Sequence, residues 1–124
     1  MQYNKETQIT LVGVSANEQK YGHKIFKDLL TSNYDVVGVN PKGGIILNQD
    51  IFKSLEEVNR DTQLLIIVVP PQVGIEVVRE AKDLGIKNIW LQPGAEDKEI
   101  IQYATINNIN LTYNQCFMVE QNIW

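Results

Sequence analysis

"LLIIVVPP", residues 64–71, decides the fold. Six apolar residues stand in a row with no polar side chain among them, so a strand built from them has no face to offer to water. A strand of that kind sits inside a parallel sheet covered on both sides, because the crossover joining two parallel strands lays a helix across a face. The two prolines mark where the chain leaves the sheet. Neither has an N–H for a strand ladder, and Pro71 suits the first position of a helix.

Outward from this stretch, apolar runs recur at Ile9–Val14, Val36–Val39, Ile89–Leu91 and Asn110–Thr112, with helical spacing between them. A first helix is expected from about Tyr21, with Tyr21, Ile25, Leu29 and Leu30 on its inner face and Asn33 as a left-handed stop. Ser54-Leu55-Glu56-Glu57 has the spacing of a capping box and predicts a short helix. Gly74–Leu84, presenting Val77, Val78, Ala81 and Leu84, is a helix closed by Gly85. Asp97–Asn107 is read as the last helix, with Ile100, Ile101 and Ala104 inward and Asn107 or Asn108 at its end. Between Val39 and Ser54 there is room only for a short third strand, Ile45–Leu47, reached through a Gly43-Gly44 turn. The fold class is therefore α/β, a doubly wound parallel sheet of Rossmann-like type, with strand order 3-2-1-4-5 and room for a sixth strand. Residues 1–124 are expected to form one domain.

The composition narrows the classes of partner. At 44% hydrophobic and 21% charged, with a formal net charge of −4, the chain is built as an ordinary globular protein. The net charge argues against a nucleic-acid partner held by phosphate neutralisation. No apolar run approaches the roughly 20 residues that span a bilayer, so no membrane partner is expected. One cysteine, Cys116, rules out an internal disulfide, and Met1–Glu6 lacks the apolar core of a secretory signal. The expected compartment is the cytoplasm.

In such a sheet, ligands lie outside the carboxyl ends of the strands, where the strand order reverses. Three segments converge there: Gly13–Gly22, Asn40–Gly44 and Val69–Gly74. "GVSANEQKYG" lacks the compact G-x-G-x-x-G of dinucleotide proteins. It does supply Gly13 for a tight exit, the Ser15 hydroxyl, Lys20, and a helix start at Gly22 whose N–H groups favour a phosphate. The plainer alternative is that Gly13 and Gly22 serve turn geometry alone. At the end of the second strand, "VVGVNPKGG" places Asn40, Pro41 and Lys42 where a free ribose is usually gripped by a carboxylate. A lysine there attracts a phosphate on the ribose, which a carboxylate would repel. Coenzyme A and NADP are the two candidates that carry one; the plainer alternative makes Lys42 a solvated turn residue. Val69 and Pro70 offer a stiff apolar shelf, and Gly94 in Gln92-Pro93-Gly94 permits close approach to the backbone.

"VGVSANEQKYG", "VNPKGG", "VVPPQVG", "WLQPGAEDKEI" and "YNQCFMVE" stand in the order and spacing of the small CoA-binding domain proteins, which this chain resembles from about Ile9 to Glu120. The same pattern is similar to the nucleotide-binding domain of the succinyl-CoA synthetase alpha subunit. The resemblance implies coenzyme A or an acyl-CoA at the carboxyl edge of the sheet. It implies Gly13, Val14 and Ser15 at the pyrophosphate, Lys42 at the ribose phosphate, and Val69, Pro70 and Gly94 at the adenine or pantetheine. Many stand-alone relatives carry an arginine where this chain has Val69, so this segment looks more like the synthetase version. The synthetase subunit has a second domain with a phosphorylated histidine, and nothing in these residues matches it.

No complete catalytic set is visible. His23, the only histidine, is expected to face solvent at the start of the first helix, with a phosphate contact as the alternative. It has no cysteine cluster with which to bind zinc. Glu56-Glu57 and Glu96-Asp97 fall at helix starts, where carboxylates favour the dipole. Cys116 is read as a small buried hydrophobe, with a mixed disulfide to the thiol of a bound CoA as the alternative. Trp90 and Trp124 are assigned to core and C-terminal packing. The expected function is a CoA-binding module without catalysis of its own. Its rivals are an NADP-binding redox or sensor domain and a subunit of an acyl-CoA ligase acting with a partner chain; a homodimer is equally compatible with the sequence.

Overall fold

The computed structural model describes residues 2–124. Seven strands form one sheet: β1 (Ile9–Val12), β2 (Val36–Val39), β3 (Ile45–Ile46), β4 (Gln49–Phe52), β5 (Leu64–Ile67), β6 (Asn88–Leu91) and β7 (Asn110–Thr112). Their order across the sheet is β3-β4-β2-β1-β5-β6-β7, parallel throughout except for the β3–β4 hairpin. The helices are α1 (Tyr21–Thr31), α2 (Pro71–Asp83), α3 (Lys98–Ile106) and α4 (Phe117–Glu120). This is the doubly wound Rossmann-like sheet expected from the alternation of apolar strands and helices. Among the described residues no helix is long and apolar enough to cross a membrane.

All four residues of β1 and of β5 are buried, as strands covered on both faces require. One face packs Ile25, Phe26 and Leu29 of α1 with Phe117 and Met118 of α4 and with Trp90. The other packs Ile75, Val78 and Ala81 of α2 with Ile100 of α3 and with Leu55. The helix ends read from sequence are where left-handed residues permit them: Asn33 at φ 64°, Gly85 at φ 80° and Asn108 at φ 56°.

Several expectations shift. The third strand lies one step further along the chain. Leu47 and Asn48 both take positive φ, 52° and 62°, forming the tip of a tight hairpin, and it is β4 that pairs in parallel with β2. The serine–glutamate pattern at Ser54 yields one 3-10 turn, Leu55–Glu57, and the Ser54 side chain makes no cap bond. A further helix, α4, follows the one read as the last. The inner face of α1 is rotated: Gly22, His23, Ile25, Phe26 and Leu29 are buried, while Tyr21 is exposed. A Cβ on Gly22 would lie 2.0 Å from the Gly13 carbonyl oxygen, so the one side-chain-free position of the first turn must face β1, and that contact sets the helix rotation. His23 is carried inward with it. On α2, Leu84 turns out to solvent and Ile75 takes the core position.

Candidate functional site

The register of the sheet builds the site. Val12 pairs with Val39 on one side and Ile67 on the other, and Val39 pairs with Phe52. Gly13, Asn40, Lys53 and Val68 therefore leave the sheet side by side along its carboxyl edge. Between these exits and α2 lies a cleft of about 420 Å³. Of the residues singled out from sequence, Gly13, Val14, Asn40, Pro41 and Val69 line it. Lys53, Ser54 and Leu55 close it on the β4 side, and Val73, Val77 and Glu80 of α2 close it opposite. A groove on the outer side of α2 shares Val73, Val77 and Glu80, so the hollow continues along that helix.

Gly13 is held at φ 112°, where a side chain would be strained and would also strike Val68. Its N–H bonds to the Val39 carbonyl at 3.1 Å. Asn40 ties the two halves of the rim together. Its side-chain N–H₂ donates to the Val14 carbonyl, and its Oδ1 accepts from the Lys42 N–H at 2.7 Å. Val14, the second glycine-loop residue, is thereby fixed over the end of β2.

The remaining predicted residues stand outside the lining of the cleft. Ser15 Oγ accepts from the Asn17 N–H at 3.1 Å, which folds the loop ahead of α1. Lys20 is the exposed residue just before α1, and Gly22 is pressed against Gly13. Tyr21 and Gly22, the first two residues of α1, donate their N–H groups to no acceptor among the described residues. Lys42 is exposed and does not line the cleft. Pro70 precedes α2, exposed, and its carbonyl caps the Val73 and Gly74 N–H groups. Gly94, at φ 98°, has open space where a Cβ would be. His23 is buried, with Nδ1 2.8 Å from the Ser15 carbonyl. A carbonyl can only accept, so Nδ1 carries the proton and the ring braces the loop rather than facing solvent.

A second cluster stands further along the same edge, past β6. Gln92 is fully buried. Its Nε2 donates to the Tyr21 hydroxyl at 2.9 Å and to Cys116 Sγ at 3.4 Å, while its Oε1 accepts the Phe117 N–H at 2.7 Å. Burial pushes the Cys116 thiol up, but hydrogen bonds to sulfur from Gln92, the Val119 N–H and Tyr21 more than offset it, and the thiol titrates below its ordinary value. Burial, then the bond to Cys116 and its charge, push Tyr21 up to about 12. Cys116 is half-buried and hydrogen-bonded, rather than a simple core hydrophobe. Among the described residues no group of three or more His, Cys, Asp and Glu could hold a metal.

A parallel sheet wound on both sides, with an apolar cleft at its carboxyl edge, defines a Rossmann-like α/β domain. The CoA binding domain family profile matches residues 7–122, and the chain belongs to that family. The acetate–CoA ligase (ADP-forming) I subunit alpha of Pyrococcus furiosus is 32% identical over 106 residues, 76% of this chain and 23% of the relative. The acetate–CoA ligase (ADP-forming) of Methanocaldococcus jannaschii is 34% identical over 79 residues, 64% of this chain and 11% of the relative. The chain thus spans less than a quarter of the length of the curated relatives it matches. Among solved structures, a conserved hypothetical protein from Pyrococcus furiosus aligns with TM-score 0.88 and 40% identity, covering 91% of this chain and 97% of that one. A hypothetical protein from Pyrococcus horikoshii aligns with TM-score 0.87 and 27% identity, covering 95% and 83%.

Proposed function

We propose that this chain is a binding module for coenzyme A or an acyl-CoA, with no complete catalytic set of its own. The observation that carries the reading is the apolar cleft at the carboxyl edge, lined by Gly13 and Val14, with Gly22 of α1 packed against Gly13. In this reading the adenosine lies between Val39, Val69 and Val73, and the pyrophosphate lies over Gly13, Val14 and Ser15 toward the Tyr21 and Gly22 N–H groups. Lys20 stands beside it. The ribose phosphate lies beyond Asn40 and Pro41 at the ends of β2 and β4, and the pantetheine runs past Pro70 toward Gly94. Membership of the CoA binding domain family supports the choice of CoA over other nucleotides.

The test is thermal unfolding with CoA, dephospho-CoA, NADP and NAD. CoA is expected to raise the melting temperature most. An equal or larger shift with NADP would replace this reading with a redox or sensor domain.

A second reading makes the chain one part of an acyl-CoA ligase that acts with a partner chain. It is favoured by the similarity to acetate–CoA ligases, one of them an alpha subunit, of which this chain matches only a small share. Co-purification of a second chain from the native source would support it.

A further inference from the structure

We propose that Lys53 and Ser54, at the exit of β4, form the edge of the cleft that recognises a phosphate on the ribose, and that Lys53 sets the preference of this chain for CoA over dephospho-CoA. The inference rests on the CoA-binding reading and deepens it.

Three observations converge on this pair. First, β4 pairs in parallel with β2, Val39 opposite Phe52, so Lys53 emerges level with Asn40 on the edge where a nucleotide's ribose meets the second strand. Second, Lys53 and Ser54 line the cleft, whereas Lys42, which is exposed as Lys53 is, does not. Third, the Lys53 side chain has a built seat. A Cβ on Gly43 would lie 3.0 Å from Lys53 Cγ and 3.1 Å from Cε, so the lysine stem lies across a position that only glycine leaves free. Gly43 is also held at φ 63°, and its N–H bonds to the Asn40 carbonyl at 2.9 Å. The turn, the seat and the cleft rim are thus one piece.

The polar groups of the pair are otherwise unused. Lys53 forms no ion pair among the described residues, and the Ser54 hydroxyl makes no hydrogen bond there. Only the Lys53 backbone N–H is committed, to Glu57 Oε2 at 3.3 Å. The Lys53 ammonium and the Ser54 hydroxyl would each donate to a phosphate dianion at this rim, and charge-assisted bonds are the stronger kind. Among the described residues Glu80 is the one carboxylate lining the cleft, on the opposite α2 wall, while the Glu57 carboxylate is held by the Lys53 N–H outside that lining.

Isothermal titration of the whole chain with CoA and with dephospho-CoA tests this, comparing the unmodified protein with Lys53→Met, Ser54→Ala and Lys42→Ala. Methionine keeps an apolar stem on Gly43 and removes the charge. In Lys53→Met the CoA to dephospho-CoA affinity ratio should fall about tenfold, with dephospho-CoA affinity unchanged. Ser54→Ala should lower the ratio less, and Lys42→Ala should keep most of it. Added salt should erode the ratio in the unmodified protein but not in Lys53→Met. If Lys53→Met fails to fold, Lys53→Gln takes its place. An intact ratio in the Lys53 variants, or a loss confined to Lys42→Ala, overturns the proposal while leaving CoA binding standing. Tight but equal binding of both ligands by the unmodified protein does the same. Binding of neither ligand overturns the CoA reading itself, and this inference with it.

Discussion

The two edges of the sheet treat their polar groups in opposite ways. Along the amino edge they are bonded to one another. Arg60 Nη1 meets Asp35 Oδ1 at 2.7 Å, and its Nη2 donates to the carbonyls of Ile9 and Asp35. Gln63 Oε1 accepts from the Gln8 N–H, Asn88 donates to the Gln63 carbonyl, and Asn110 donates to Asn88, so side-chain amides link the entries of β1, β5, β6 and β7. Along the carboxyl edge, the side chains of Lys53 and Ser54 and the N–H groups of Tyr21 and Gly22 are left without partners among the described residues. Apart from Arg60 Nε, which is buried without a partner, the first edge closes on itself; the other holds unsatisfied donors around an apolar hollow. The difference predicts that polar substitutions cost stability at the first edge and affinity at the second.

The largest effect should come where the carboxyl edge is also structural. Gly22→Ala would set a methyl group 2.0 Å from the Gly13 carbonyl oxygen, with backbone on both sides and no flexible chain end to yield. Helix α1 must shift away from β1, and we expect a loss of about 3 kcal/mol in urea unfolding together with loss of CoA binding. A stable variant that binds normally would show that the contact between α1 and β1 does not organise the site. Next comes Arg60→Met at the amino edge. It removes the ion pair with Asp35 and the bond to the Ile9 carbonyl, while the Asp35 carbonyl keeps the Ile9 N–H, and should cost about 1 kcal/mol in the same measurement. The CoA dissociation constant should not change. Lys53→Met inverts that pattern, with stability held within about 0.5 kcal/mol. If the two variants behaved alike, the contrast between the edges would fail.

The same contrast explains how far the residues alone could be read. Strands β1, β5 and β6 are covered on both faces, so their apolar runs stand out in sequence, and Pro71 and Gly85 bracket α2 openly. The carboxyl-edge segments at Gly13, Asn40 and Val69 followed from knowing which strands lie at the centre. Lys53 and Ser54 did not, because β4 is partly exposed and begins Gln49-Asp50, and its hairpin turns on Leu47-Asn48 without a glycine. With β4 unseen, the residue after it had no reason to stand beside Asn40. The pattern at Ser54 even pointed to a helix cap, a use that would have tied up the hydroxyl. A pair of apolar residues, Ile51-Phe52, followed by Lys-Ser was the available signal. The burial of His23 was hidden for another reason: it depends on the rotation of α1, which the Gly13–Gly22 contact sets and helical periodicity alone leaves open by about one residue.

The carboxyl edge is itself divided, and the smallest expected effect tests that division. Past β5 the hollow ends and the edge is filled by Gln92, Tyr21 and Cys116, with the Trp124 ring 5.8 Å from that of Tyr21 and its N–H bonded to Asp28 at 2.7 Å. Here the donors are directed at a sulfur of the chain rather than at an open cleft. Each such bond favours the thiolate over the thiol, so removing one must raise the titration midpoint of Cys116. Tyr21→Phe removes the hydroxyl that stands 3.7 Å from Sγ and leaves the ring in place. The pH midpoint of iodoacetamide alkylation, followed by intact mass, should lie below that of an unperturbed thiol in the parent protein and move upward in Tyr21→Phe. A midpoint that does not move, or that falls, would mean the hydroxyl is not directed at sulfur, and that this half of the edge is as open as the other.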